Sequence, residues 1–171
     1  MALFLEEYQV VGAIRPVDLQ TGANDGDWIS LKDASRLVVI FWSAIGTAGD
    51  DPTITMQQAS DVSGTGAKAL NIASSQAFKK QAATSLLSTG QFASASGDIS
   101  TNTWTNTDSA EEETLVVLEF AADELDADND FDCVRARVAD VGSNAQLGMG
   151  LYLAQVRYPA APANVLSIIA D

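Results

Sequence analysis

Short apolar runs rich in β-branched and aromatic residues constrain the fold of this chain more than any other feature. The strongest runs are residues 36–45 (RLVVIFWSAI) and 114–121 (TLVVLEFA), and this composition favours strands. Because residues 36–45 are apolar at nearly every position, we predict a strand that is buried on both faces. Glu119 within the second run requires an outward position or a cationic partner, for which Arg135 or Arg137 is a candidate.

Three further segments, residues 53–59, 131–138 and 146–156, alternate between two sets of side chains, as strands with unlike faces do. In the second of them, Arg135 and Arg137 share one face, so we predict that both arginines point to solvent. In the third, glycines alternate with leucines. Paired glycines in a strand indicate that another backbone approaches closely.

The spacing of these runs, with turn-forming residues between them, predicts an all-β fold. We expect about nine strands arranged as a β-sandwich or jelly roll. A length of 171 residues suits a single domain. We therefore expect one β domain over residues 1–171, with a short N-terminal arm at 1–11 and a C-terminal tail at 158–171.

Charge excludes several classes of partner. The chain has nine basic and 23 acidic residues, which gives a net charge of -14. Nucleic-acid binding needs clustered lysines and arginines to replace counterions, so we expect no nucleic-acid partner. The apolar runs are too short for a membrane helix, so we expect no membrane partner either.

The inventory of reactive side chains argues against catalysis. The chain has no histidine and one cysteine, Cys133, so an internal disulfide is excluded and the commonest acid, base and metal ligand is missing. Neither Lys79–Lys80 nor Cys133 lies in a recognisable nucleophile motif. We expect no enzyme activity, no catalytic residues, no cofactor and no bound metal. A glycan hydrolase that uses two carboxylates is the least favoured alternative.

An aspartate-rich segment at residues 123–132 (DELDADNDFD) is the one candidate for a metal site. An EF-hand loop that began at Asp126 would need Gly at its sixth position and Glu at its twelfth, where this chain has Phe131 and Arg137. Two interpretations remain open: an irregular calcium site, or a solvated acidic turn that protects a strand edge. We favour the turn.

Candidate contact residues are apolar side chains in unusual surroundings. Trp104 lies in a segment of small polar residues (TNTWTN), where it either contacts a partner or ligand or covers a thin edge of the core. The two ends of the chain carry further apolar residues, which we expect to contact a partner. These candidates are Leu3, Phe4, Leu5, Leu166, Ile168 and Ile169.

A family resemblance is carried by residues 26–32 (GDWISLK), 53–70 (TITMQQASDVSGTGAKAL), 124–135 and 140–142. In these segments the chain resembles a family of small acidic proteins encoded among the structural genes of tailed bacteriophages. The resemblance extends over about residues 22–158. It implies that the protein is a virion component. It implies no catalytic or binding residue.

From this resemblance and the β pattern, we expect a capsid decoration or cement protein on the exterior of the virion. Its partner would be the major capsid protein, and a homotrimer would suit the local threefold positions of a shell. One alternative is a structural protein of the head–tail junction or the tail. Another is a carbohydrate-binding adhesion module that uses Trp104 and the aspartate-rich turn.

Overall fold

The computed structural model describes residues 3–88, 90–107, 112–165 and 167–169. Its two antiparallel sheets pack as a sandwich, with 45% of the chain in strands and 14% in helices. The prediction of an all-β sandwich is therefore confirmed. The described residues form 13 strands rather than about nine, and five of these have only two residues, too few to leave an alternating pattern in the sequence.

Six strands form the first sheet, called sheet A. They are β1 (Tyr8–Asp18), β4 (Ala34–Ser43), β7 (Ala77–Ala82), β8 (Ala93–Ser94), β11 (Glu113–Ala121) and β13 (Leu147–Val156). Their order across the sheet is β1-β13-β4-β11-β7-β8. The two longest apolar runs of the sequence thus lie side by side at its centre, as β4 and β11.

Seven strands form the second sheet, called sheet B. They are β2 (Asn24–Asp25), β3 (Ile29–Ser30), β5 (Thr53–Ala59), β6 (Lys68–Ala69), β9 (Ile99–Ser100), β10 (Thr103–Thr105) and β12 (Cys133–Val138). The main path is β2-β12-β5-β10-β9, with β3 also paired to β12 and β6 to β5.

Helical structure is limited to short elements. One α-helix, α1, covers Phe4–Glu7, and 3-10 turns cover Leu19–Thr21, Leu86–Ser88, Ser96–Asp98, Ala122–Glu124, Ala127–Asn129 and Pro162–Asn164. Over the described ranges, none of the helices is long and apolar enough to cross a bilayer.

The core lies between the two sheets and is built from every second side chain of each strand. In β11, Val116, Leu118 and Phe120 point inward and are buried, while the residues between them are half-buried. The strand period of two imposes this division. The largest fully buried side chains are Trp104, Tyr152, Phe41 and Phe120.

The start of the chain differs from expectation. Residues 8–11, expected in an arm, belong to β1, which forms an edge of sheet A and pairs with β13 from Tyr8 to Asp18. Two irregularities, between Gly12 and Ile14 and between Ile14 and Val17, interrupt its register. They also disrupt the alternation that would have revealed the strand, and an edge strand tolerates the proline that it contains.

Glycines of β13 allow the close approach that the sequence predicted. A Cβ added to Gly150 would lie 3.3 Å from the backbone nitrogen of Ile14, and one added to Gly148 would lie 2.7 Å from Leu19 Cδ1. A side chain at position 148 would displace the Leu19 side chain, and one at position 150 would require the backbone of β1 at Ile14 to shift by a few tenths of an ångström. Glycine therefore permits β1 to pack as it does.

The hydroxyl of Tyr152 connects the two sheets. Tyr152 lies on β13 of sheet A, and its Oη accepts a hydrogen bond of 2.6 Å from the backbone N–H of Ala136 on β12 of sheet B. This N–H lies between the segment of β12 that pairs with β3 and the segment that pairs with β2. Burial raises the pKa of Tyr152 far above its usual value, so the hydroxyl stays neutral.

We predict that Tyr152→Phe lowers the free energy of unfolding by about 1–3 kcal/mol, because a buried backbone N–H loses its acceptor. Chemical denaturation followed by circular dichroism measures this difference. Tyr158→Phe is the matched control, since Tyr158 is 74% exposed, and we expect it to change stability by less than about 0.5 kcal/mol. Equal stability of the two variants would contradict a bridging role for Tyr152.

Candidate interaction surfaces

The outward side of sheet A is apolar, and within the described residues its large side chains are not fully buried. We call this surface the outer face. Its apolar side chains are half-buried or exposed, and they are Val10, Val38, Ile40, Trp42, Phe78, Leu115, Val117, Met149, Leu151 and Leu153.

Strand register makes the outer face continuous. Ile40 on β4 lies beside Val117 of β11 on one side and Leu151 of β13 on the other. The next outward position of β4, Trp42, lies in the same way beside Leu115 and Met149. Because side chains at paired positions contact one another, these rows form one contiguous patch across three strands.

The outer face corrects one prediction. Residues 36–45 were expected to be buried on both faces, and the inward residues Leu37, Val39 and Phe41 are indeed buried. The outward residue Trp42, however, is 41% exposed. Within the described residues, the outward apolar side chains of β4 are half-buried or exposed.

A cleft of about 450 Å³ opens at one end of the outer face. Trp42 forms part of its wall together with Pro16, Leu147 and Met149. The indole Nε1 of Trp42 donates a 2.8 Å hydrogen bond to Glu113, whose other oxygen accepts from the backbone N–H of Leu86. These bonds fix the ring with one side open to solvent.

Sheet B presents a different exterior, with Thr53, Thr55 and Gln57 of β5 at half-buried outward positions. Arg135 and Arg137 also point outward, as predicted, and both pair with Asp25, at 3.5 Å and 2.6 Å. The sandwich therefore has one apolar and one polar exterior.

The prediction that Glu119 pairs with Arg135 or Arg137 is wrong. Glu119 lies on the outer face of sheet A and pairs with Arg36 at 3.7 Å, whereas Arg135 and Arg137 belong to sheet B. The sequence did not reveal that the two strands lie in different sheets.

Trp104 lies in the core. It occupies β10, pairs in register with Ile54 of β5 and is 0% exposed. Of its two interpretations, the structure supports packing within the core, because a fully buried ring offers no surface to a partner or a sugar. Its polar neighbours in the sequence are explained by strand alternation, since Thr103 and Thr105 are half-buried on the opposite face.

The chain-end candidates separate into two groups. Four of them are at least half exposed, namely Leu3, Phe4, Leu5 and Ile169. In contrast, Ile168 is only 3% exposed and belongs to the core. Leu166 lies outside the described residues. We call the four exposed residues the edge cluster.

Hydrogen bonds bring the two ends of the chain together at the β1 edge. The backbone N–H of Ala160 donates to the carbonyl oxygen of Glu6 over 3.2 Å, and that of Ile168 donates to Gln9 Oε1 over 3.2 Å. The Ile168 carbonyl in turn accepts from Ser30 of β3. The tail thus docks on the sandwich, and the Phe4 ring stacks on Tyr8 with centroids 4.9 Å apart.

In the aspartate-rich segment, the carboxylate of Asp126 is bound by other side chains of the same chain. Asp126 forms an ion pair with Lys68 and accepts a 2.8 Å hydrogen bond from Asn129 Nδ2. The hydrogen bond from Lys68 is the main reason that the pKa of Asp126 lies below its usual value. Lys68 is held over the ring of Phe131, 3.7 Å from its centroid. Over the described residues, no three His, Cys, Asp or Glu side chains are grouped as metal ligands.

Comparison with known proteins does not assign the chain to a family. No family model and no curated protein matches it. Among solved structures, it is similar to the D431N VP2 protein of infectious bursal disease virus in T=1 particles, with a TM-score of 0.27, 10% identity, and 94% of this chain and 42% of that chain covered.

A second neighbour is the Clostridium thermocellum xylanase 10B fragment with CBM22-1 and GH10 modules, complexed with xylohexaose. Its TM-score is 0.25 at 6% identity, over 92% of this chain and 28% of that chain. The chain spans less than half the length of either neighbour. At these TM-scores the similarity supports no inference about fold or function.

Sequence reasoning missed the outer face as an interaction surface. Its signal was present, because residues 36–45 are apolar on both sides and Leu147, Met149, Leu151 and Leu153 recur at every second position. The sequence alone does not reveal that these two sets share one side of one sheet.

We predict that millimolar calcium leaves the melting temperature unchanged, because Asp126 is neutralised by Lys68. Differential scanning calorimetry with calcium, and with magnesium as a control, measures this. A calcium-specific rise of several degrees would instead support an irregular calcium site at residues 123–132.

Proposed function

We propose that the protein is a non-enzymatic virion structural protein that decorates the exterior of a tailed-bacteriophage head and stabilises it by contacting major capsid subunits. The observation that carries this proposal is the combination of two exposed apolar surfaces, the outer face and the edge cluster, on an otherwise acidic sandwich. The contiguous apolar rows of the outer face are typical of protein contact sites.

The two surfaces suit a protein that acts by contact. Sheet A and sheet B share a core of tightly packed, fully buried side chains, so the sandwich can hold both surfaces in fixed positions. The edge cluster projects from the β1 edge, where Leu5 borders a cleft of about 320 Å³. We assign this cluster to the capsid, because a large exposed apolar side chain such as Phe4 can act as an anchor that a pocket of the partner buries.

Several charged groups form ion pairs within the chain, which is consistent with a structural role. Lys79 pairs with Asp98 at 2.7 Å, and Asp25 holds both outward arginines of β12. The Asp25 pairs join the neighbouring strands β2 and β12, and the Lys79 pair joins β7 to the 3-10 turn Ser96–Asp98. The resemblance of residues 26–32, 53–70, 124–135 and 140–142 to phage structural proteins supports the placement in a virion.

The principal alternative is a structural protein at the head–tail junction or in the tail. It would use the same contact surfaces, but at a small copy number. A carbohydrate-binding role through Trp104 has no support, because that ring is fully buried.

We predict that quantitative mass spectrometry of purified virions finds the protein at a copy number within a few-fold of the major capsid protein. Decoration requires this ratio because a shell offers many equivalent positions. A count of only a few copies per particle would contradict decoration and favour the junction or tail.

We further predict that Phe4→Ser combined with Leu5→Ser weakens binding to heads that lack the protein. Removing two exposed apolar anchors should lower affinity by at least about tenfold, measured by co-sedimentation with the heads. Leu87→Ser is the matched control, since Leu87 is 91% exposed and lies outside both surfaces. Equal loss in both variants, or none in either, would contradict the assignment of the edge cluster to the capsid.

A further inference from the structure

We infer that the outer face of sheet A is covered by the outer face of a second copy of this chain. The inference goes beyond the proposed function and does not require it, since it concerns the protein alone. It rests on the composition, size and charge of this face, and on its position around the middle of sheet A.

The composition of β4 and β13 indicates that another protein layer packs on the outer face. Strands that are apolar at successive positions are typical of sheets packed on both sides, and β4 has this pattern through Val38, Val39, Ile40 and Phe41. On β13 the leucines point outward, while the inward positions carry the glycines and Tyr152. The larger aliphatic side chains of β13 thus face away from the core.

The size of the face matches what a stable pair needs. The six strands of sheet A contain 48 residues in total, which at about 3.3 Å per residue and a strand spacing of about 4.8 Å give a plan area of roughly 760 Å². A standard interface buries about 800 Å² on each partner. Sheet-on-sheet stacking, at the usual separation of about 10 Å, would therefore reach this range.

Charge favours a second copy over an acidic or basic partner. The chain carries a net charge of -14, so two copies repel each other over most of their surfaces. On β4, β7 and β11, however, the outward charges are Arg36, Lys80, Glu113 and Glu119, which sum to zero. Two copies can meet here without bringing like charge together.

The position of the face suggests the symmetry. β4 and β11 are the two middle strands of the six, so a two-fold axis between them, parallel to the strands, superimposes the centre of one face on that of the other. Ile40 of one copy then lies over Val117 of the other, and Trp42 over Leu115. Arg36 and Glu119, which pair within one chain, come close enough to pair between chains as well.

A face that stacks on its own copy across a two-fold axis closes the assembly at two chains. The homotrimer expected from the sequence would need two different complementary patches instead. The mass in solution distinguishes these arrangements.

The test is sedimentation equilibrium of the purified full chain over a range of concentrations. We expect the mass of two chains for the native protein. Ile40→Glu places a charge at the centre of the face and should raise the dissociation constant at least about thirtyfold. Thr55→Glu is the matched control, because it adds the same charge at an outward position of a central strand in sheet B. It should leave the two-chain mass unchanged.

A second variant keeps the test decisive if Ile40→Glu does not fold. Val38→Thr combined with Val117→Thr preserves side-chain shape and strand preference, and circular dichroism verifies that it folds. This variant should also weaken association. A single-chain or three-chain mass for the native protein, or an unchanged two-chain mass in the folded variants, would overturn the inference.

Failure of this inference and failure of the proposed function give different results. A protein that is a single chain in solution but abundant on heads overturns only the pairing. A two-chain protein that is absent from heads overturns only the decoration role.

Discussion

The central strand β4 carries apolar side chains on both faces, and in the part of the chain that the structure describes only the inward ones are fully buried. Leu37, Val39 and Phe41 fill the space between the sheets, whereas Trp42 on the other side is 41% exposed. Burying apolar surface is the main favourable contribution to both folding and association. The same physical requirement that builds the core therefore also favours a contact on the outer face.

The interior of the sandwich explains why the leucines of β13 point outward. The inward positions of this strand are occupied by Gly148, Gly150 and Tyr152. The glycines admit Leu19 and the backbone of β1, and the hydroxyl of Tyr152 crosses to sheet B to satisfy the N–H of Ala136. Because strand side chains alternate, these inward requirements place the leucines on the outer face.

The sequence predicted the all-β class because its apolar runs are strong, and it predicted the outward arginines of β12 because that strand alternates cleanly. It did not predict β1, where Gly12, Pro16 and two register shifts disrupt the alternation. It also did not predict that Glu119 pairs with Arg36, because such pairing depends on which strands share a sheet. The outer face went unrecognised for the same reason, since it arises from the register of β4, β11 and β13.

Trp42 offers the most direct test of the central claim that the outer face is a buried contact surface in the working protein. Trp28 and Trp104 are 9% and 0% exposed, so acrylamide quenching of tryptophan emission reports mainly on Trp42. If a second copy covers the outer face, quenching is weak in concentrated protein and rises on dilution, as the face becomes uncovered. Strong quenching that does not vary with concentration would show that the face remains exposed and is not a contact surface.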